Sequence, residues 1–362
     1  MKKLLVVLAL GTFAVSARAQ YVSLNNTEVK TLQKAIKGDD KVKRVFEPFK
    51  IAAEKAFNET PNPIAKITSQ GLLEGNPAKT ASLKAVEDAG KIYALAINYR
   101  VYNNKAYLDK TAQYLLAWAK INTPTGDPID GTKLEDLIAG YDLVRSDLPK
   151  DQVIQIDAWL DIFADAQMNS ESAKNGRTTG FNNWNSHRIK VITMVAYTIH
   201  THKYDQYIFN ELEKQLALNL YADGSSFDFK QRDALHYHIY TLEPLFKAII
   251  PIYRAIGKNY YSFLSKSNSS IEKSVQFLTP FVTGEKTHGE FANSTVQFDR
   301  DRAKNGEKGY IAGAKFEPKS GLFILSLADY FDPSYLAIIK KAMGNDYEDW
   351  QLVLNQVREK VK

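Results

Sequence analysis

From residue 44 to residue 344 apolar side chains return every three or four positions, as in "AYLDKTAQYLLAWA" and "LEDLIAGYDLV". That is the period of a helix with one face turned toward a core. It predicts helices around 44–57, 83–101, 106–120, 133–145, 150–167, 187–201, 205–219, 233–256, 270–280 and 333–344. Alternation of period two, the mark of a half-buried strand, is scarce, so sheet is at most a minor component.

Breaks in the pattern fall where turn chemistry is dense. Ser146, Asp147 and Pro149 separate two runs, and "NTPTGDPIDG" at 122–131 is a turn-rich connection. No linker, low-complexity tract or short repeat interrupts the series. So many helices joined by short loops must bury their apolar faces against one another. The expectation is an all-α, single-domain α/α toroid over residues 20–362, an incomplete barrel of antiparallel helix pairs. Two long segments, 60–82 and 281–314, are rich in Gly, Asn, Lys and Thr and suit lids or ligand walls.

The first nineteen residues differ from the rest. Lys2 and Lys3, an apolar run from Leu4 to Leu10 and the ending Ala17-Arg18-Ala19 have the layout of a cleaved signal peptide. Its apolar part is too short for a membrane anchor, and no later stretch is long enough to span a bilayer. Export to a bacterial periplasm, or secretion, is therefore expected. There are no cysteines, which excludes disulfides and thiolate metal sites. Of 47 basic residues three lie in the leader, leaving 44 against 41 acidic ones and a formal charge of +3. That is compatible with an anionic ligand and a weak basis for nucleic-acid binding.

Two patches concentrate chemistry. "FNNWNSHR", residues 181–188, brings together Asn182, Asn183, Trp184, His187 and Arg188. Capping would account for one Asn and leave the other amides, the indole and the imidazole without a purpose. In "FKQRDALHYHIYTLEPL", residues 229–245, a continuous helix would align Arg232, His236 and Tyr240 at i, i+4 and i+8, with Tyr237 about 100° around from His236. His238 would point away from His236, toward core. No zinc-protease spacing, G-x-S-x-G elbow or phosphate-binding glycine loop occurs, and no cofactor is expected.

Amide, imidazole, guanidinium and phenol together suit β-elimination from a uronic acid polymer. Donors around the C5 carboxylate stabilise the enolate-like transition state, a base takes the C5 proton, and an acid protonates the departing O4. A tyrosine serves in either step if a cation beside it opposes its usual pKa of about 10. The two patches, with "AYLDKTAQYLLAWAKINTPTGDPI" and "GEFANSTVQFDRDR", resemble the alginate lyase family of α/α-toroid polysaccharide lyases.

The resemblance implies an enzyme acting on an anionic polysaccharide, alginate at mannuronate units, as a monomer without metal. It implies Asn183 as carboxylate-neutralising amide, Arg232 as tyrosine-activating cation and Tyr237 as acid and base. Trp184 stands where the family motif has histidine, and His187 or His236 is the candidate to take over that role. Asn182, Trp184, Arg188, His236 and Tyr240 are expected to bind substrate; Lys286, His288 and Arg300 are candidates for binding neighbouring carboxylates, against a solvated loop surface as the more ordinary role for each. Glucuronan cleavage, carboxylate binding without catalysis, and glycoside hydrolysis on the same fold remain open alternatives.

Overall fold

The computed structural model describes residues 20–174 and 176–358, so the leader lies outside the described residues. Among the described residues sixteen α-helices follow one another: α1 Asn26–Gly38, α2 Asp40–Phe57, α3 Pro77–Tyr102, α4 Lys105–Ile121, α5 Pro128–Gly131, α6 Glu135–Val144, α7 Lys150–Met168 and α8 Asn183–Ile199. The second half holds α9 Asp205–Asn219, α10 Phe227–Arg232, α11 Leu235–Ile256, α12 Ile271–Val282, α13 Gln297–Lys304, α14 Leu322–Asp329, α15 Ser334–Met343 and α16 Trp350–Val357. The strands among the described residues, β1 Gly289–Glu290 and β2 Ala314–Lys315, form one antiparallel pair.

Helices α3, α6, α8, α11 and α14 pack in succession as an inner ring. Helices α2, α4, α7, α9, α12 and α15 lie against them from outside. Helix α16 docks on both α14 and the amino-terminal α1 and α2, and so links the two ends of the series. This is the expected all-α toroid. One hydrophobic cluster runs through it from Val22 to Val357. Close approach is built into α6: a Cβ on Gly140 would stand 2.9 Å from Ile92 Cγ2 and 3.1 Å from the Tyr93 backbone of α3. Any larger residue there would push the two inner helices apart.

The structure adds elements that periodicity did not predict. Helix α14, "LFILSLAD", is buried on nearly every side, so it shows a continuous apolar run without a 3.6-residue stripe. Helices α1, α5, α10, α13 and α16 also lie outside the predicted runs. The predicted helix 233–256 is corrected: α10 ends at Arg232, Asp233 takes a left-handed conformation with φ 48°, and α11 begins at Leu235. Arg232 therefore does not share a helix with His236 and Tyr240.

Candidate active site

The break at Asp233 is held from the segment 288–295. Phe291 N and His288 Nε2 donate to Asp233 O at 2.7 and 3.0 Å, and Asn293 donates twice to Asp233 Oδ2, at 2.9 Å each. Ala234 offers α11 no side-chain cap. Glu290 supplies one from far along the chain, its carboxylate accepting from Leu235 N at 2.8 Å and His236 N at 3.0 Å. An anion at the positive end of a long helix fixes the direction of its first turn. His236, Tyr237 and Tyr240 project from that turn and the next into a cleft of about 310 Å³.

Tyr237 is the centre of this cleft. The Arg302 Nη1 donates to Tyr237 Oη at 3.0 Å, and the Arg232 guanidinium lies 3.9 Å from the centroid of its ring. Asp299, itself buried, accepts from Arg232 and from Ser294 Oγ, so the guanidinium is held in place. Arg302 is sandwiched between Phe298 at 4.3 Å and Tyr310 at 4.5 Å. Burial pushes the Tyr237 phenol above its usual range, while Arg232 and Arg302 act in the opposite direction. The resting phenol is neutral, with two cations in place to stabilise a phenolate.

Asn183 opens α8 and lines the same cleft. Its amide nitrogen donates to Asp228, a buried carboxylate that also accepts from Asn219 Nδ2 at 2.7 Å and Thr241 Oγ1 at 2.9 Å. Asp228 thus anchors one amide N–H and leaves the second to donate. Trp184, next along, is half-buried and also lines the cleft.

The other nominated residues of the first patch are elsewhere. Asn182 caps α8, its Oδ1 accepting from Trp184 N at 3.0 Å, and it does not line the cleft. Arg188 is fully buried and donates to Asn185 Oδ1 at 2.6 Å, Ser172 Oγ at 2.7 Å and Thr179 O at 3.3 Å. Neither expected substrate contact lines the cleft, and both side chains are bonded within the protein.

His187 lies beneath the cleft, its ring 4.3 Å from that of Tyr240 and its Nδ1 2.9 Å from Thr132 Oγ1. Burial, with Lys190 adding, keeps this imidazole well below its usual pKa and hence neutral. His236 is the histidine on the cleft surface. Of the two histidines, His236 lines the cleft, and His187 packs beneath Tyr240.

Deeper still, Glu135 joins Lys190 and Lys247, and Lys247 also meets Glu243 at 2.9 Å. A larger cavity of about 450 Å³ shares Glu135 and Lys247 with this ion cluster and is lined by none of the nominated residues. His238 is core as expected, bonded to Ser226 Oγ at 2.9 Å and Ser274 O at 3.0 Å.

The long segments 60–82 and 281–314 both reach the cleft, through Ser69, Gln70 and Lys79 on one side and Phe298, Arg302 and Tyr310 on the other. They meet at Glu74, whose N–H donates to Glu307 at 2.9 Å and whose carbonyl accepts from Asn305 at 3.0 Å. Lys286, His288 and Arg300 do not line the cleft. Arg300 is turned to Gln297 and Ser294 O, and His288 packs on Phe229. Arg302, two residues on from Arg300, is the cation that sequence reasoning missed.

Among the described residues no cluster of three or more His, Asp or Glu side chains is placed to hold a metal ion, and no helix is long and apolar enough to cross a membrane.

With this geometry in view, the comparison with known families is decisive: the profile described as alginate lyase matches residues 30–288. The chain belongs to the alginate lyase family. It is a polysaccharide lyase, and its substrate is an anionic, alginate-like polysaccharide.

Solved structures of alginate lyases share the fold. The enzyme from Bacteroides ovatus superposes with a TM-score of 0.67 at 15% identity, covering 92% of this chain and 98% of that one. Alginate lyase A1-III from Sphingomonas species A1 gives 0.55 at 19% identity over 74% of this chain and 80% of its own. A Tyr-to-Phe variant of A1-III, solved with a tetrasaccharide, gives 0.55 at 19% identity over 74% and 79%. No curated protein matches the sequence.

Proposed function

We propose that this lyase cleaves alginate at mannuronate units by β-elimination, with Tyr237 as both base and acid. One observation carries the reading: Tyr237 Oη receives a hydrogen bond from Arg302, with Arg232 over its ring, in the same cleft as an Asn183 amide anchored by Asp228. The tetrasaccharide complex of the related Tyr-to-Phe variant is consistent with a tyrosine whose loss permits a bound oligosaccharide to persist.

In this mechanism Asn183 donates to the C5 carboxylate, and Arg302 favours the phenolate form of Tyr237. Tyr237 takes the C5 proton, the C5–H and C4–O4 bonds break, a C4=C5 double bond forms, and the proton passes to O4 of the leaving sugar. One residue serves both steps, which requires the proton and the leaving oxygen on the same face of the sugar. His236 and Trp184 complete the binding surface, the indole as a stacking platform for a sugar ring. Export to the periplasm or medium, as the leader implies, places the enzyme where such polymers are met.

The test is absorbance of the unsaturated product while residues 20–362 act on polymannuronate, polyguluronate and glucuronan, each with chelator present. Fastest turnover on polymannuronate is expected. Preference for glucuronan would reassign the substrate, and binding without any rise in absorbance would remove the catalytic reading.

A further inference from the structure

The cleft has a second group of charged residues that the elimination chemistry leaves unused. Lys79, in the first turn of α3, and Lys133, in the 3-10 turn Thr132–Leu134, both line it. Lys79 donates through Nζ to Leu72 O at 3.0 Å and makes no ion pair among the described residues. Lys133 is half-buried, and its Nζ has neither an ion pair nor a hydrogen bond among them.

The two carboxylates whose charge acts on Lys133, Asp130 and Asp127, each have Oδ1 taken by other donors. Asp130 Oδ1 accepts from Ser69 N at 3.0 Å, Ser69 Oγ at 2.5 Å and Gln70 N at 3.1 Å. Asp127 Oδ1 accepts from Ile129 N at 2.8 Å and Asp130 N at 3.1 Å, where it caps α5. Desolvation lowers the Lys133 pKa, Asp130 and Asp127 oppose that effect, and Lys79 and Lys190 add to it. Lys79 and Lys133 repel each other, and Lys133 is partly desolvated with no salt bridge to either nearby carboxylate, so an added anion in the cleft is favoured there.

A polyuronate presents one carboxylate per sugar, so a chain lying in this cleft carries more than the one that Asn183 serves. We propose that Lys133 and Lys79 form a second carboxylate subsite, holding a uronate unit adjacent to the unit that reacts. This rests on the polyuronate reading of the cleft. The subsite binds ground state and transition state alike, so its contribution is to KM and not to the chemical step. Being electrostatic and open to water, it weakens as salt rises.

The experiment compares wild type, Lys133→Met, Lys133→Arg and Lys79→Met on the polyuronate that the wild type cleaves best, at low and high salt, with circular dichroism to verify folding. Lys133→Met is expected to raise KM roughly tenfold with kcat within about twofold of wild type, and to flatten the dependence of KM on salt. Lys133→Arg, which keeps the charge, is expected to restore most of the affinity. Lys79→Met should raise KM by a smaller factor and provides the answer should Lys133→Met not fold. A folded Lys133→Met with unchanged KM, or with reduced kcat at unchanged KM, overturns the subsite alone. Absence of wild-type turnover on every polyuronate overturns the reading of the cleft and the subsite with it.

Discussion

Two of the eight side chains in 181–188 line the cleft, against four of the nine in 232–240, although the two stretches are comparably rich in polar groups. The difference lies in what surrounds each backbone. Residues 183–188 begin α8, an inner helix in which nearly every side chain is buried, so its amides and guanidinium must find partners inside the protein. Gln215 Nε2 donates to Asn182 O at 3.1 Å and Ser186 Oγ at 2.9 Å, Asn219 donates to Phe181 O at 2.9 Å, and Asn185 turns to Gln215 and Arg188. Residues 232–240 span a helix break at the rim, where the first turn of α11 opens onto the cleft. Polar density in a sequence marks a need for hydrogen bonds; whether protein or ligand meets that need depends on burial.

The sharpest way to break this comparison is in the second stretch. Tyr237→Phe removes the hydroxyl proposed to transfer the proton and is expected to lower kcat by about a thousandfold or more, with the melting temperature nearly unchanged. Steady-state rates and thermal unfolding of the same preparation check it. A rate within tenfold of wild type would remove Tyr237 from the chemistry.

Arg302→Met follows, at about a hundredfold in kcat/KM. It also makes a signed prediction for pH. Because burial raises the Tyr237 pKa and Arg302 lowers it, activity that depends on the phenolate rises with pH on the alkaline side. Loss of Arg302 lets the pKa rise further, so the rising limb should move to higher pH. A limb that stays in place, or moves to lower pH, would separate Arg302 from the ionisation of Tyr237.

The helical class and most outer helices were legible because amphipathic periodicity is a local signal, and the likeness of the two patches to a family pointed to Asn183, Arg232 and Tyr237 directly. What escaped depends on contacts distant in sequence. The break at Asp233 has no proline or glycine to announce it and is imposed by Phe291, Asn293 and the Glu290 cap. Arg300 and Arg302 are equally basic and equally placed in "QFDRDRAK"; only the docking of α13 decides that the second meets Tyr237. Asp228 had a visible signal, an acid inside the dense "FDFKQR", but its role required knowing that Asn183 lies across from it.

The first stretch is tested by stability. Arg188→Met leaves Asn185 Oδ1, Ser172 and Thr179 O short of a buried donor and is expected to destabilise the fold by about 2 to 4 kcal/mol. Denaturant unfolding measures it. The folded fraction should retain the wild-type KM, because Arg188 does not reach the cleft. A KM raised tenfold without loss of stability would return Arg188 to the substrate site.

The smallest effect belongs to Asn182→Ala, and it separates two neighbouring asparagines. Asn182 accepts from Trp184 N as the cap of α8, so its loss leaves one helix-end donor unsatisfied and should cost about 1 kcal/mol. Asn183, one position along, points into the cleft with its amide held by Asp228. Asn182→Ala should therefore shift the unfolding midpoint while kcat stays within about twofold, since α8 is pinned along its length by α7 and α11 and its first turn has little freedom to move. A larger fall in kcat at intact stability would mean that the cap sets the aim of Asn183, and that the boundary between support and site runs between Phe181 and Asn182.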